Sequence, residues 1–303
     1  MNIKTNWYFD HEMTNNSTLS HRSKEPENSI LYVVGTPIGN LNDLSLRALN
    51  ILKNVSLIAC EDTRQTLKLL NRYEITNTLL SFNMHNSQSR ISRIVQDLKD
   101  KKSVAIVSDA GMPGICDPGE DLIKSVKANK LEVICIPGPC AAITALVSSG
   151  LPSSSFIFMG FLPKKKSDRN KFLLEISKSE KTMVIYESPF RLKKLLMELR
   201  EYCGGEREIQ VFRELTKIHE ENVGNNINMV INFFEGQEVK GEITLVIKGI
   251  DNNHKKLNNY DLKKELIELI NAGLSLSAAS KYLAKKNNLS KSLIYNMFKG
   301  NDK

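Results

Sequence analysis

Short apolar runs alternate with amphipathic, helix-spaced stretches along most of this chain. The runs Ile30 to Val34, Val55 to Ala59, Val104 to Val107, Val133 to Ile136, Met183 to Tyr186, Ile209 to Phe212 and Ile243 to Ile247 read as buried strands, and the segments between them read as helices. That order predicts an α/β fold of strand-helix-strand units around a largely parallel sheet. Pro152 and the Ser153-Ser154-Ser155 run break the pattern near the middle. A boundary near residue 151 follows, with an N-terminal α/β subdomain over 30–150 and a second over 151–250. Residues 1–29 are polar and show no sustained periodicity, which predicts a disordered leader. Beyond Gly249 the sequence Asn253, His254, Lys255, Lys256, Asn258 and Asn259 reads as a linker, and the rest of the 251–303 segment is helical. Leu262, Leu266, Leu269 and Ile270 form one stripe ended by Gly273. Ala278, Ala279, Tyr282 and Leu283 form a second, and Leu293, Ile294, Met297 and Phe298 a third, with Ser290 as N-cap. Three short helices with tight turns predict a helix-turn-helix unit.

Charge sharpens this picture. Ten lysines stand between Lys255 and Lys303 against Asp261, Glu265, Glu268 and Asp302, so most of the net charge of +8 lies in the C-terminal module. A basic helical module fits a polyanionic partner, or else a solvated face. With 303 residues, 41% of them hydrophobic, the chain can bury a sizeable core and does not belong with disordered proteins. Cys60, Cys116, Cys135, Cys140 and Cys203 include no Cys-x-x-Cys pair, and free core thiols in a reducing compartment are expected, without disulfides and without a metal site. No apolar run approaches the roughly 18–20 residues that span a bilayer, and the first 29 residues lack a hydrophobic signal core. A cytoplasmic protein is expected.

Chemistry concentrates in a few loops. The strand ending at Val107 runs into Ser108-Asp109-Ala110-Gly111-Met112-Pro113-Gly114-Ile115-Cys116-Asp117-Pro118-Gly119. Glycines allow close backbone approach to a ligand, and ligands in open α/β sheets sit beyond the carboxyl ends of the strands. A ligand site and a ligand-free strand-to-helix connection both fit this loop. Glu61-Asp62-Thr63-Arg64 places two carboxylates and a cation at another strand end, either as chemistry or as an N-cap with an ion pair. Gly160 to Arg169 reads as an apolar anchor followed by Lys164, Lys165, Lys166 and Arg169. Those four cations fit a grip on phosphates or a solvated loop. His219 reads as structural or as a substrate-side contact.

The run Leu31 to Leu41 lacks the Gly-x-Gly-x-x-Gly of dinucleotide-binding folds. Taken with Glu61 to Arg64, Ser108 to Gly119, Pro137-Gly138-Pro139, Gly160 to Lys165, Tyr186-Glu187-Ser188-Pro189, Arg213 to Lys217 and Gly241 to Leu245, it closely resembles the bacterial small-subunit rRNA methylases. That family methylates the ribose 2′-hydroxyl of a cytidine in 16S rRNA and is a branch of the tetrapyrrole methylase superfamily. The resemblance covers roughly Ile30 to Lys299. It implies a two-subdomain tetrapyrrole-methylase-like fold, a homodimer, S-adenosylmethionine bound in the interdomain cleft and a C-terminal helix-turn-helix module. It further implies Asp109, Ala110, Gly111 and Gly114 at the methionine end of the donor, with Cys140 and Ala141 as the adjoining wall. Glu187, Leu215 and Thr244 would surround the adenosine, and Ile38 would close the first turn. The chain departs from the family pattern in its longer leader, in Met112 where threonine is usual, and in Phe190 where histidine is usual.

A ribose hydroxyl is a poor nucleophile at neutral pH, so a base or a cation near it would help. Glu61, Asp62 and Lys217 are the candidates, and the sequence does not choose among them. Arg64, Lys164, Lys165, Lys166 and Arg169 are the expected RNA contacts, with single-stranded or looped RNA as the target. Two rival readings remain open at this level: a superfamily methylase acting on a tetrapyrrole or a protein side chain, and a helix-turn-helix DNA-binding regulator with a ligand-sensing α/β domain.

Overall fold

The computed structural model describes residues 24–250, 259–287 and 289–299. Of the leader expected over 1–29, residues 1–23 lie outside the described residues, as do residues 251–258 of the linker. Within 24–29, Glu25 pairs with Arg47 and the Glu27 N–H donates to the Tyr32 hydroxyl at 2.8 Å, which corrects the expectation of disorder there. The first half runs β1 (Ile30–Val34), α1 (Leu46–Asn54), β2 (Leu57–Cys60), α2 (Thr63–Arg72), β3 (Leu79–Ser81), α3 (Ser87–Lys99), β4 (Val104–Val107), α4 (Glu120–Ala128), β5 (Glu132–Ile136) and α5 (Ala141–Ser149). Its sheet has the order β3-β2-β4-β1-β5 with every pairing parallel. Both faces are covered. Tyr32, Ile58 and Ala105 pack with Ile51 and Leu70 on one side, and Leu31, Val33 and Ile106 pack with Ile94 and Leu122 on the other. A parallel strand buried on both faces reads as a continuous apolar run, which is why β1 and β4 stand out in the sequence. Val55 instead caps the end of α1, so the second strand starts at Leu57.

The second half runs β6 (Phe156–Phe161), α6 (Lys166–Lys178), β7 (Thr182–Glu187), α7 (Pro189–Cys203), β8 (Glu208–Arg213), β9 (Glu221–Asn226), α8 (Ile227–Phe234) and β10 (Ile243–Ile247). These strands form a separate sheet, β6-β7-β10-β8-β9. Only β6 and β7 pair in parallel; β10 is antiparallel to β7 and β8, and β9 is antiparallel to β8. The single largely parallel sheet expected from the strand spacing is therefore corrected to one parallel and one mostly antiparallel sheet. Strand β10 enters between β7 and β8, a placement that element spacing does not encode.

Helix α5 joins the halves. Its buried Ala142, Ala145 and Leu146 pack against Val184, Phe212 and Val246 of the second sheet, with Ile38 and Leu215 in the same layer. Helix α5 thus closes the first half in chain order while packing on the sheet of the second. The loop after β1 also touches the loop after β8. The Asn40 N–H donates to Thr216 Oγ1 at 3.0 Å, and a Cβ on Gly39 would lie 2.4 Å from Lys217 Cγ, so only glycine fits there. Burying Leu146, Phe212 and Leu215 contributes roughly 1.5–3 kcal/mol per side chain, against about 1 kcal/mol for the clasp hydrogen bond. The apolar layer holds the halves together and the clasp sets their register.

Helices α9 (Asn259–Asn271), α10 (Leu276–Asn287) and α11 (Lys291–Lys299) complete the described chain. Leu262, Leu266, Ala279, Leu283, Ala284 and Ile294 form their core. The Leu293 N–H donates to Ser290 Oγ at 3.2 Å, the expected N-cap. Ala278, Tyr282 and Leu293 face solvent, whereas Ala284 is buried, so the second and third stripes are rotated from the expected ones. The side chains of Met297 and Phe298 lie outside the described residues.

Candidate active site

A parallel sheet gathers the loops that follow its strands at one edge. There the loop after β1 and the loop after β4 are stitched together: the Thr36 N–H donates to the Gly111 carbonyl at 2.9 Å, and the Gly111 N–H donates to the Thr36 carbonyl at 3.1 Å. Thr36 Oγ1 donates to the Ser108 carbonyl at 3.2 Å, and Ser108 Oγ donates to the Gly111 carbonyl at 3.2 Å. Gly111 sits at φ +83°, which costs an L side chain about 1–2 kcal/mol. Its amide is already taken by Thr36, so this glycine serves the turn and not a close approach to a ligand.

The second sheet supplies the facing wall from strand residues. Tyr186 and Glu187 end β7, and Thr244 lies opposite Tyr186 on β10. Between loops and strands lies a cavity of about 520 Å³. Ile38, Asp109, Ala110 and Gly111 line it from one side, Cys140 and Ala141 from the start of α5, and Glu187 and Thr244 from the other side. Gly114 and Leu215 are not part of this lining. Gly114 packs against Gly119 inside the loop, and Leu215 sits in the apolar layer behind the wall. The lining also includes Asp117, Phe161, Tyr186 and Glu242, which were not singled out as site residues. Each falls within a motif already noted, but strand-borne side chains from a mostly antiparallel sheet cannot be assigned to a cavity before the sheet order is known.

Five carboxylates line this cavity, and three of them, Glu61, Asp109 and Asp117, stand on the loops of the first half. Burial raises the pKa of Asp117 to about 6, assisted by the nearby Asp109 charge and opposed by a hydrogen bond to Ser108. Glu61 is raised by burial and by Asp117, Asp109 and Asp62. Asp109 is raised by burial, while Oδ1 accepts from the Asp62 N–H at 3.1 Å. Tyr186 is also raised, mainly by burial, so its hydroxyl stays protonated while accepting the Ala142 N–H at 3.0 Å. That bond ties the start of α5 to β7.

Glu187 is buried and ion-paired on two sides. Oε1 accepts from Arg191 Nη2 at 2.5 Å and from the Ser188 N–H at 2.8 Å. Oε2 lies 3.6 Å from Arg169 Nη2, and both of those buried atoms lack a hydrogen-bond partner. Arg169 Nε donates to Glu198 Oε2 at 2.7 Å. Arg169 is only 5% exposed, which removes it from the expected RNA contacts: it lies beneath the surface, braced between two carboxylates. Lys164, Lys165 and Lys166 are exposed and leave from Phe161, on the cavity's lining.

Asp62 is the N-cap of α2, accepting from the Arg64 N–H at 2.9 Å and pairing with the Arg64 guanidinium at 2.7 Å. Those bonds hold its pKa at about 2, which makes it a weak base. Arg64 itself is 86% exposed along its side chain. Lys217 pairs with Glu214 at 2.8 Å and Glu242 at 2.9 Å. Burial opposes its charge, but the two carboxylates outweigh it and hold its pKa above the ordinary lysine value. Lys217 lines a second cavity of about 450 Å³, which shares Ile38, Asp109, Ala110 and Glu242 with the first. All five cysteines are free, with Cys60 buried, while Cys116 and Cys140 line the first cavity. Cys116 and Cys135 are exposed, which corrects the expectation that the thiols are core residues. Among the described residues no helix is long and apolar enough to cross a membrane, and no cluster of potential metal ligands occurs.

The architecture and sequence agree with known proteins. Residues 30–228 match the model of the tetrapyrrole (corrin/porphyrin) methylases. Among solved structures, a cobalt precorrin-4 methyltransferase covers 73% of this chain and 95% of its own length at TM-score 0.56 and 14% identity. A diphthine synthase covers 72% and 90% at TM-score 0.55 and 11% identity. Sequence similarity is closer to curated proteins named ribosomal RNA small subunit methyltransferase I. The protein from Synechocystis sp. is 41% identical over 88% of this chain and 96% of its own length. The corresponding figures are 47%, 72% and 98% for Thermotoga maritima and 39%, 89% and 94% for Bacillus subtilis. The chain therefore belongs to the tetrapyrrole methylase family and, within it, to the ribosomal RNA small subunit methyltransferases I.

Proposed function

We propose that this protein transfers a methyl group from S-adenosylmethionine to the ribose 2′-hydroxyl of a cytidine in 16S rRNA of the small ribosomal subunit. The observation that carries the reading is a 520 Å³ cavity, walled by acidic loops and strand ends, in a chain 37–47% identical to enzymes named for that subunit's rRNA. The residues present fit the donor. Glu61, Asp109 and Asp117 offer negative charge to a sulfonium and an amino group, and the buried Glu187 Oε2, ion-paired with Arg169 at 3.6 Å but without a hydrogen bond, can accept one. A solved relative of this fold, a uroporphyrin-III C-methyltransferase from Thermus thermophilus, is complexed with S-adenosylhomocysteine.

When bound, the donor supplies an electrophilic methyl, so the protein's work is to bind, align and exclude water. Ile38, Ala110, Cys140 and Ala141 would form the apolar part of the donor wall. Glu187, Thr244 and Asp109, the last on the turn that Gly111 shapes, would supply its polar part. Lys164 to Lys166, Arg64 and the lysines of α9 to α11 would hold RNA phosphates, which makes affinity salt-dependent. Ile143 and Val147 lie one turn apart on α5 and are 47% and 71% exposed, which supports a homodimer through that face. A cytoplasmic location follows from a ribosomal substrate. The test is incubation of the full chain with labelled S-adenosylmethionine and small subunits, followed by mass spectrometry of nuclease digests. Label on a ribose is expected; label on a base, or only on protein, overturns the reading.

A further inference from the structure

The second cavity is not needed to hold the donor, and its lining differs in kind from the first. Gln65 and Lys68 of α2, Leu41, Gly39 and Lys217 line it without touching the first cavity. The Lys68 ammonium donates to Gln65 Oε1 at 3.3 Å, and Lys217 is fixed by Glu214 and Glu242. At about 450 Å³ it lies within the size range of pockets that enclose a small ligand. Ile38, Asp109, Ala110 and Glu242 form the partition between the cavities.

We infer that this second cavity receives the acceptor nucleotide, one unit swung out of single-stranded RNA, with its ribose against the Asp109–Glu242 partition and its base toward Gln65. The inference rests on the methyl-transfer reading and deepens it. The sugar must lie at the partition, because the accepting oxygen has to reach a methyl held in the first cavity. In the transfer the hydroxyl oxygen forms the new bond to the methyl carbon, the carbon–sulfur bond breaks with its electron pair left on sulfur, and the hydroxyl proton passes to Asp109, the one acidic side chain besides Glu242 that faces both cavities. Glu242 is engaged by Lys217, whereas Asp109 receives only the Asp62 amide, on Oδ1. The base then falls at the far end, where the Gln65 amide carries both a donor and an acceptor for a base edge. Lys68 and the neighbouring Arg64 lie on the same helix face for the flanking phosphates. A nucleotide drawn out of its stack is the RNA form whose sugar is free of both neighbours and can reach the partition.

Gln65→Trp fills this pocket from an exposed position on α2, and Leu67→Trp places the same ring on the same helix outside it, at a side chain 49% exposed. With small subunits as substrate, Gln65→Trp is expected to lower kcat/KM at least tenfold while the Kd for S-adenosylmethionine by calorimetry and the Tm stay as in the parent. Leu67→Trp is expected to match the parent. If Gln65→Trp methylates as well as the parent, the pocket is misassigned. If Gln65→Trp lowers Tm, the paired truncation Gln65→Ala with Lys68→Ala decides: a raised KM for subunits at unchanged donor Kd supports the pocket, and an unchanged KM overturns it. A parent protein that leaves rRNA unlabelled would instead overturn the reading beneath, so the two failures are distinguishable.

Discussion

In the first half of the molecule the cavity wall is made of loops, Ser108 to Gly119 above all, held in shape by backbone pairing between Thr36 and Gly111. In the second half it is made of side chains standing on strands, Tyr186 and Glu187 on β7 and Thr244 on β10. The difference follows from the two sheets. A parallel sheet gathers its loops at one edge, while an antiparallel sheet presents neighbouring strands whose side chains register across the ladder. Charge is handled differently as well. Asp62 and Arg64 pair at the surface, whereas Arg169, Glu187 and Glu198 pair below it. The second half is thus the rigid wall, and the first half the shaped one.

Removing one member of each pair tests that contrast most strongly. Arg169→Ala leaves Glu198 without its cation and Glu187 with Arg191 alone, and is expected to cost about 3 kcal/mol, the low end for breaking a buried pair, read as a fall in the urea midpoint. Arg64→Ala exposes nothing new and should leave the midpoint unchanged. Equal midpoints for the two variants would mean that the buried network does not brace the wall. Arg169→Lys keeps the charge but not the fork that reaches both carboxylates, so it should raise the Kd for S-adenosylmethionine more than it lowers Tm.

A smaller loss is expected on the loop side. Gly111→Val must hold φ near +83°, at about 1–2 kcal/mol, and its branched side chain would enter the space near Ile38 and the Pro139 carbonyl, 3.4 and 3.5 Å from a Cβ. Donor affinity should fall while circular dichroism stays native. A Kd equal to the parent's would show that the loop's shape is not what the donor reads.

How much of this was legible beforehand divides along the same line. Strands β1, β2 and β4 announce themselves because both of their faces are buried, the short half-buried β3 does not, and the loop after β4 is marked by its glycines. Strand β9 carries Glu221-Asn222-Val223-Gly224-Asn225-Asn226, a polar edge strand with no periodicity to find. Strand β6 begins just after the Ser153 to Ser155 run, and its half-buried Phe156 to Phe161 stretch is absent from the runs that read as strands. Arg169 looked like one more cation after three lysines, because nothing in a sequence separates a surface arginine from one turned inward to two carboxylates. Glu187 and Thr244 entered through the family resemblance and fell on the cavity, and Asp117 lies in the loop already marked by its glycines, whereas Tyr186 and Glu242 needed the sheet order to be placed there.

The smallest effect is a pH dependence that only the loop half should carry. Asp117 titrates at about 6 in the fold against about 3.9 in an unfolded chain. The fold therefore holds this proton more tightly, so the group's contribution to stability is greatest below pH 4, declines as pH rises to 6, and stays low above it. Asp117→Asn removes that penalty, so it should raise Tm at pH 7.5 and leave it unchanged near pH 4. Donor binding works in the opposite sense. A sulfonium facing Asp117, Asp109 and Glu61 favours their ionised forms, so affinity should be highest above pH 6 and weaken several-fold by pH 5, with protons released on binding within that window. Calorimetry in buffers of different ionisation enthalpy reads the release directly. Asp117→Asn should bind more weakly at pH 7.5 and show a flatter profile, and Arg169→Lys should keep the parent's slope at lower affinity. A profile that stays as steep in Asp117→Asn as in the parent would assign the dependence to Glu61 or Asp109 and would remove Asp117 from the donor wall.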